Sequence, residues 1–264
     1  ADGVKEIMLD KKFGASGNHV VVEEFLTGPE VSVLSFCDGK TVKPMVSSMD
    51  HKRALDHDEG LNTGGMGTVA PNPYYTPAVA ERCMQEIFLP TVAAMQAEGC
   101  PFKGCLYFGL MLTPDGPKVI EYNCRFGDPE TQVVLPLLES DLLTVMEATT
   151  NGTLDKTDVK FSDGAAACVI LASGGYPLAY EKGKEITGLT AGQLDAADVT
   201  VYHAGTAIKD GRLVTNGGRV LGVTATANTL PEALKKAYAA TESIHFDKLH
   251  KRSDIGARAL AAMQ

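Results

Sequence analysis

The sequence contains no tryptophan, and none of its six cysteines forms a CxxC pair or has a cluster of histidines beside it. A structural zinc site is therefore disfavoured, because such sites are built from closely spaced cysteine and histidine ligands. No apolar run approaches the roughly 20 residues that a membrane-spanning helix requires. Lysine and arginine total 24 against 33 acidic residues, a net charge of −9, which argues against a general nucleic-acid-binding surface. We expect neither a membrane nor a nucleic acid as a partner.

Two common phosphate-binding signatures are also absent. No glycine-rich loop ends in the Lys-Ser or Lys-Thr pair of a P-loop, and no GxGxxG sequence stands between a strand and a helix. No secretory signal opens the sequence, so we expect reduced cysteines and a cytoplasmic location. What is present is an ordinary globular composition, 44% hydrophobic and 22% charged over 264 residues, enough for one large domain or two smaller ones.

The order of the predicted elements indicates an α+β protein in two parts. An amphipathic stripe predicts a helix over residues 1–13, and a longer helix spans residues 77–98, where Pro90 divides it. Residues 50–75 show no periodicity and are predicted to form a long loop, which in a compact domain is usually functional or disordered. Beyond residue 160 short strands alternate with glycine turns, so we place a domain boundary there. The strands predicted in the first part cover residues 19–25, 30–36, 41–46, 104–112 and 117–121.

Polar side chains alternate along one predicted strand that runs into a Gly-Asp-Pro turn. Glu121, Asn123 and, if the strand continues, Arg125 project to one face, because successive strand residues point to opposite sides. A carboxylate and an amide oxygen are suitable ligands for Mg²⁺, and an arginine can stabilise a transferring phosphoryl group. The alternative is a solvated strand face that binds nothing, and these residues alone leave both interpretations open.

A second group of acidic residues stands at the end of the predicted strand over residues 19–25. Glu23 and Glu24 are followed by Phe25, and Glu30 comes after a Gly-Pro turn. Free backbone N–H and C=O groups at a strand end can bind the edge of an adenine, while a carboxylate binds ribose hydroxyls. An ordinary hairpin with exposed acids has the same pattern, so this site also stays a hypothesis.

The predicted long loop carries cations first and glycines later. Asp50, His51, Lys52 and Arg53 precede residues 62–67, which read Asn-Thr-Gly-Gly-Met-Gly. Lysine and arginine bind phosphate, and glycines let backbone amides approach an anion closely. The alternative is a flexible surface loop. A lone histidine such as His51 is also more often a surface residue or a satisfied structural residue than a catalytic base.

Taken together, these stretches resemble the glycinamide ribonucleotide synthetases, ATP-grasp ligases of purine biosynthesis. The resemblance is carried by DHKR at residues 50–53, NTGGMG at residues 62–67 and KVIEYNCRFGDPETQ at residues 118–132, and it extends over nearly the whole chain. It implies an ATP-grasp core over residues 1–160, an antiparallel sheet with flanking helices. A small, mostly β C-terminal domain with closing helices would follow over residues 161–264.

The resemblance also implies a reaction and a role for each candidate residue. ATP would activate the carboxylate of glycine as an acyl phosphate, with Mg²⁺ or alternatively Mn²⁺ as the metal. The amine of 5-phosphoribosylamine would then attack, releasing ADP and phosphate. Glu121 and Asn123 would bind the metal, and Arg125 would lie beside the reacting phosphate. The adenine would contact Glu23, Glu24, Phe25 and Leu26, and the ribose would contact Glu30. The substrate pocket would include Asp50, His51, Lys52, Arg53, Asn62, Thr63, Gly64, Gly65, Met66 and Gly67.

The chain departs from the family pattern in one large respect. The family normally has a further N-terminal stretch with a glycine-rich segment and a phosphate-binding lysine, so we expect this chain to be a C-terminal portion that does not turn over alone. The missing N-terminal portion would then be its partner. Leu61 stands where the family usually has proline, from which we expect little effect. A nucleotide-binding fragment without turnover remains an alternative, and a different ATP-grasp ligase is disfavoured by the paired NTGGMG and RFGDPETQ motifs.

Overall fold

The computed structural model describes residues 2–189 and 198–264, and it is a mixture of helices and antiparallel sheets, as predicted. The strands are β1 Glu30–Asp38, β2 Val42–Pro44, β3 Met49–Asp50, β4 Arg53–Leu55, β5 Glu59–Asn62, β6 Gly67–Ala70, β7 Lys103–Thr113, β8 Gly116–Asn123, β9 Ala165–Ser173, β10 Val199–His203, β11 Thr206–Lys209, β12 Arg212–Thr215, β13 Arg219–Ala227 and β14 Leu249–His250. The α-helices are α1 Asp2–Val4, α2 Pro77–Cys83, α3 Leu89–Ala97, α4 Thr131–Val134, α5 Leu142–Asn151, α6 Leu230–Thr241 and α7 Ala257–Ala262.

The first sheet has the order β2-β1-β7-β8, and every pairing in it is antiparallel. Strand β1 is apolar on both sides because helices cover both faces of the sheet. Val31 and Val33 pack in one cluster with the helical residue Phe88, whereas Leu34 and Phe36 pack in another cluster that includes residues of α5. The central strands are therefore fixed from both sides, and β8 is left as an edge strand that faces the candidate site.

The second sheet has the order β10-β13-β9-β6-β3, so it combines strands from both predicted parts of the chain. Strand β9 is buried along its full length and pairs with β13, with β6 and, at its end, with β14. Helix α6 covers this sheet with Leu230, Ala233, Leu234 and Ala237, which share one helical face. The boundary near residue 160 remains a prediction, but one sheet extends across it.

The predicted helix over residues 77–98 is confirmed with a modification. It consists of α2 and α3, which are joined by the π-helical turn Met84–Phe88. Pro90 follows this π-helical turn directly, within a continuous helical run, and the wider turn accommodates a residue that cannot donate a backbone hydrogen bond. The interruption therefore lies just before the proline. No helix within residues 2–189 and 198–264 is long and apolar enough to cross a bilayer.

The structure corrects the prediction at the beginning of the chain. Residues 19–25 form no strand, and Val21 and Val22 are 83% and 84% exposed. An apolar run becomes a strand only when a neighbouring strand completes its hydrogen bonds, and among the described residues no strand pairs with this segment. The predicted helix over residues 1–13 is reduced to α1 and the π-helical turn Lys5–Leu9.

The predicted loop over residues 50–75 is also different in the structure. It contains β4 and β5, which form a small two-stranded sheet around the 3₁₀ turn Asp56–Asp58. The strands that flank this small sheet in the chain, β3 and β6, belong to the second sheet. These strands are two to four residues long, which is too short for a period to be visible in the sequence.

Candidate functional site

A β-bulge in the edge strand β8 turns Glu121 and Asn123 toward one side. Gly109 of β7 pairs with Glu121 and the next residue, Leu110, pairs with Val119, so Ile120 has no partner. Val119, before the extra residue, packs against the apolar cluster that contains Val31, Val33 and Phe88. After the extra residue, each side chain points to the opposite face of the sheet from the one that uninterrupted alternation would give. The amide nitrogen of Asn123 lies 3.3 Å from a carboxylate oxygen of Glu121, so the two predicted metal ligands are adjacent.

The two side chains suit a magnesium ion in their chemistry. A glutamate carboxylate and an asparagine carbonyl supply hard oxygen atoms, and both side chains line a cavity open to water and phosphate oxygens. Within residues 2–189 and 198–264 there is no group of three or more His, Cys, Asp or Glu side chains that could hold a metal alone. The pair would therefore provide only part of a coordination shell, as Mg²⁺ commonly accepts in nucleotide sites.

A cavity of about 170 Å³, which we call the polar cavity, joins the first and third groups of predicted residues. Strand β8 and the turn after it form one wall, and the loop after β3 forms another. The lining residues are Asp50, Lys52, Thr63, Gly64, Tyr107, Glu121, Asn123, Arg125, Asp128 and Glu130. Arg125 lies beyond the end of β8 but still lines the cavity, so the predicted metal ligands, arginine and loop cation are brought together.

A second cavity of about 370 Å³, the edge cavity, lies along the outer side of β8. Its lining is Glu23, Glu24, Phe25, Leu26, Glu30, Met111, Lys118, Val119 and Ile120. It therefore contains every residue predicted for the adenine and ribose, although their roles stay predictions. Lys118 binds Glu24 at 2.8 Å, and Lys52 lies 3.7 Å from Glu30 and connects the two cavities. A larger cavity of about 700 Å³ lies against α6 and contains none of the predicted residues.

Behind the polar cavity lies a buried hydrogen-bond chain that the sequence interpretation missed. The hydroxyl of Ser32 contacts that of Tyr107 at 2.7 Å, and the Tyr107 hydroxyl donates to Glu130 at 2.9 Å. Burial raises the pKa of the Asp50 carboxyl well above its ordinary value, and the charge of Glu130 raises it further. Glu130 and Asp128 lie within the RFGDPET motif, so this motif is the sequence signal that could have identified them as residues of the site. Nothing in the sequence marked Tyr107.

Several predicted pocket residues do not line the polar cavity. Met66 is fully buried in the core below the second sheet, and Gly67 begins β6. Arg53 is exposed and donates to the Gly60 carbonyl at 2.8 Å within its own hairpin. The remaining residues of the prediction that fall outside the lining are His51, Asn62 and Gly65.

The glycine-rich turn also differs from the predicted anion cradle. The backbone amides of Thr63, Gly64, Gly65 and Met66 all donate within the chain, to the Lys52 carbonyl, the Tyr176 hydroxyl, the Thr63 hydroxyl and the His51 carbonyl. Amides that already have acceptors cannot also bind a phosphate without rearrangement. The positive groups of the polar cavity are therefore the side chains Lys52 and Arg125.

His51 is a satisfied structural residue, the alternative that the sequence left open. It is 1% exposed, and its Nδ1–H donates to the Gly67 carbonyl at 3.0 Å. Its Nε2 accepts a hydrogen bond from the amide of Gly256 at 3.0 Å. Burial lowers the pKa of His51 to about 4, with the nearby positive charges of Arg258 and Arg252 as further causes.

The buried histidine predicts a pH dependence of stability. Its folded pKa of about 4 lies below the ordinary 6.5, so between these values the unfolded chain binds a proton that the folded protein does not. The free energy of unfolding therefore falls as the pH is lowered through this window. We expect His51 to contribute a loss of about 2 kcal/mol between pH 7 and pH 5. Urea unfolding of His51→Gln should lack this contribution, and the exposed-residue control His203→Gln should retain it. Equal pH slopes for all three proteins would contradict the assignment.

Comparison with protein families places this geometry in a known context. The family model for the phosphoribosylglycinamide synthetase ATP-grasp (A) domain matches residues 1–131, and the model for the C domain of the same synthetase matches residues 166–258. The chain belongs to the phosphoribosylglycinamide synthetase family. The predicted ATP-grasp core with a following C-terminal domain is confirmed by these matches.

Individual relatives of the phosphoribosylglycinamide synthetase family agree. A phosphoribosylamine–glycine ligase of Vibrio vulnificus is 48% identical over all 264 residues, and the trifunctional purine biosynthetic protein adenosine-3 of Gallus gallus is 51% identical over 259. The chain spans 61% of the length of the first relative and 26% of the second. The crystal structure of a phosphoribosylamine–glycine ligase from Thermotoga maritima superposes with a TM-score of 0.82 at 38% identity, over 95% of this chain and 63% of that one.

Proposed function

We propose that this chain provides the nucleotide and metal sites of an ATP-dependent ligase that joins glycine to 5-phosphoribosylamine. The products would be glycinamide ribonucleotide, ADP and phosphate. One observation carries the proposal: the polar cavity joins Glu121, Asn123, Arg125 and Lys52, and the edge cavity lies directly beside it. An acidic metal site next to two cations is what transfer of a phosphoryl group to a carboxylate requires.

Each part of the polar cavity has a role in this proposal. Glu121 and Asn123 would hold Mg²⁺, which neutralises the charge of the nucleotide phosphates when it is bound. Arg125 would stabilise charge on the phosphoryl group as it moves, and its donors are pre-organised in a planar fork. Lys52 would attract the carboxylate of glycine or the phosphate of the second substrate.

The edge cavity would hold the nucleoside. Glu23, Glu24, Phe25 and Leu26 would surround the adenine, with Glu30 as the carboxylate that accepts hydrogen bonds from ribose hydroxyls. Phe25 is 89% exposed, so an aromatic face is available for contact with a base. A cytoplasmic location belongs to the same proposal and is supported by the six cysteines, all of which are free thiols.

A turnover assay tests the function. We expect ADP to form only when ATP, glycine and 5-phosphoribosylamine are all present, in a preparation that supplies the part of the Vibrio vulnificus ligase which this chain does not match. The chain assayed by itself should be slower by on the order of 10³-fold, because part of the phosphate-binding surface would be lacking. Nucleotide binding without ADP formation in both preparations would favour a binding module. ADP formation that does not depend on glycine would exclude the proposed reaction.

A further inference from the structure

Arg219, the first residue of β13, reaches out of the second sheet to two separate loops of the polar cavity. Its Nη1 donates to the carbonyl of Gly64 at 2.7 Å and to the carbonyl of Asp128 at 2.8 Å, with a longer contact of 3.4 Å to the Gly65 carbonyl. Its Nη2 lies 3.2 Å from the Asp128 carboxylate. The side chain is only 19% exposed, so these charge-assisted bonds are largely shielded from water.

A tyrosine from the same part of the fold supports this contact. The hydroxyl of Tyr176 accepts a hydrogen bond from the amide of Gly64 at 2.9 Å. The chain passes so close to the tyrosine ring at Gly218 that a Cβ there would lie 2.2 Å from a ring carbon. Gly64 is therefore held on both of its polar backbone groups, its carbonyl by Arg219 and its amide by Tyr176.

Arg219 is important because, among the described residues, no other side chain forms hydrogen bonds to both of these loops. Gly64 and Asp128 both line the polar cavity. Within the described part of the chain, no hydrogen bond runs directly between residues 62–67 and residues 126–130. The distance between these walls is thus set by packing of Gly65 against Pro129 and by the guanidinium that binds both loops.

We propose that Arg219 is a positioning residue that fixes the shape of the polar cavity for the carboxylate and amine substrates, while the edge cavity proposed for the nucleoside is independent of it. The proposal rests on the proposed function for the identity of these substrates. A planar guanidinium can bind several carbonyl oxygens at once. Carbonyl oxygens that are bound in this way do not face, and so do not repel, an anionic substrate.

The independence of the edge cavity follows from the contacts. None of the groups that Arg219 binds lines the edge cavity, whose walls are residues 23–26 and 30 together with strands β7 and β8. A role in general stability would affect both cavities and the whole fold. A positioning role would change the Michaelis constants of glycine and 5-phosphoribosylamine and leave the affinity for adenosine, which has no phosphates to place in the polar cavity, nearly constant.

The kinetic test compares Arg219→Ala with Arg219→Lys and with Arg212→Ala. Arg212 is the matched control, because it belongs to strand β12 and its side chain binds, among the described residues, only the exposed Glu185. In Arg219→Ala we expect kcat/KM for glycine or for 5-phosphoribosylamine to fall by roughly 10–100-fold, as loss of charge-assisted hydrogen bonds implies. The Kd of adenosine should change by less than about threefold. Lysine should restore part of the activity, since it keeps the charge and loses the fork.

A second measurement does not depend on the substrates. Hydrogen exchange of residues 62–67 and 126–130 should accelerate in both segments of Arg219→Ala and stay unchanged in Arg212→Ala. The milder variant Tyr176→Phe should accelerate the first segment only, which keeps the test valid if Arg219→Ala folds poorly. Unchanged exchange in Arg219→Ala, or a loss of affinity for adenosine equal to that for glycine, would overturn the positioning role. Failure of the unmodified protein to use glycine would instead reject the proposed function.

Discussion

Replacement of Glu121 by glutamine is expected to lower Mg²⁺-dependent ATP turnover by on the order of 10³-fold, because it removes the only charged member of the proposed metal pair. Glutamine has nearly the same shape, so the strand and its bulge should persist. Asn123 would remain as a neutral oxygen donor, and a neutral pair binds a small divalent cation far more weakly than one with a carboxylate. The loss should appear both in turnover and as weaker Mg²⁺-dependent nucleotide binding in calorimetry.

Two further variants give this prediction a matched comparison. Glu185→Gln makes the same chemical change on the exposed surface, where the Glu185 side chain binds Arg212, and should leave Mg²⁺-dependent binding unchanged. Asn123→Asp replaces one oxygen ligand by another with added charge and should retain metal binding. Unchanged affinity for Mg²⁺ and ATP in Glu121→Gln would mean that the metal is bound elsewhere.

Replacement of Arg252 by methionine is expected to destabilise the folded protein by about 3–5 kcal/mol, the usual result of breaking a buried ion pair from one side. Arg252 is 1% exposed and binds Asp254 through two nitrogens, at 2.7 and 2.9 Å. Its Nη1 also donates to Asp58 at 3.0 Å and to the carbonyl of Arg53 at 3.1 Å. Methionine fills much of the volume, so the loss would come from the carboxylates of Asp254 and Asp58, which would keep only the His57 amide and Arg258 as partners.

The same network holds a strained turn. His57 and Asp58 have φ angles of 61° and 56°, in the left-handed region that non-glycine residues seldom adopt. The amide of His57 donates to Asp254 at 2.8 Å, and Asp58 is bound by Arg252. We therefore expect Arg252→Met to release the hairpin of β4 and β5 as well as to weaken the core.

Chemical denaturation can measure this effect with suitable controls. The chain has no tryptophan, so unfolding in urea would be followed by far-ultraviolet circular dichroism. Removal of both partners in Arg252→Met/Asp254→Asn should cost less than Arg252→Met alone, because fewer buried charges remain unpaired. Arg82→Met breaks an exposed pair with Glu86 on one helix and should leave stability nearly unchanged. If Arg252→Met were no less stable than Arg82→Met, the network would carry no stabilisation.

The sequence contains enough information to predict the parts of the site that are local in the chain. Alternation along β8 placed Glu121 beside Asn123, and the motif that follows placed Arg125 near them. The bulge at Ile120 could not be predicted, because it depends on how β8 fits against β7. The prediction of a strand over residues 19–25 was wrong because pairing also depends on the rest of the fold. The composition of this segment suits a strand, but among the described residues no neighbouring strand pairs with it.

The contacts made by the C-terminal part of the chain were beyond sequence reasoning. Arg219 binds residues 91 and 155 positions away, and Arg252 binds Asp58 from 194 positions away. No periodicity or spacing encodes such pairs, since each depends on the finished fold. Nothing in the sequence around Arg219 or Arg252 indicated which loop either arginine would bind.

The sheet that crosses the predicted domain boundary has a consequence for folding during synthesis. Strand β6 pairs with β9, with Ala70 opposite Ala166, so the two ends of the loop after β3 cannot be fixed until β9 has left the ribosome. Arg219 and Arg252 emerge later still. The nascent protein must therefore carry the first sheet with its polar cavity unfinished, and the site takes its final form only after Arg219 has been synthesised and has reached both loops.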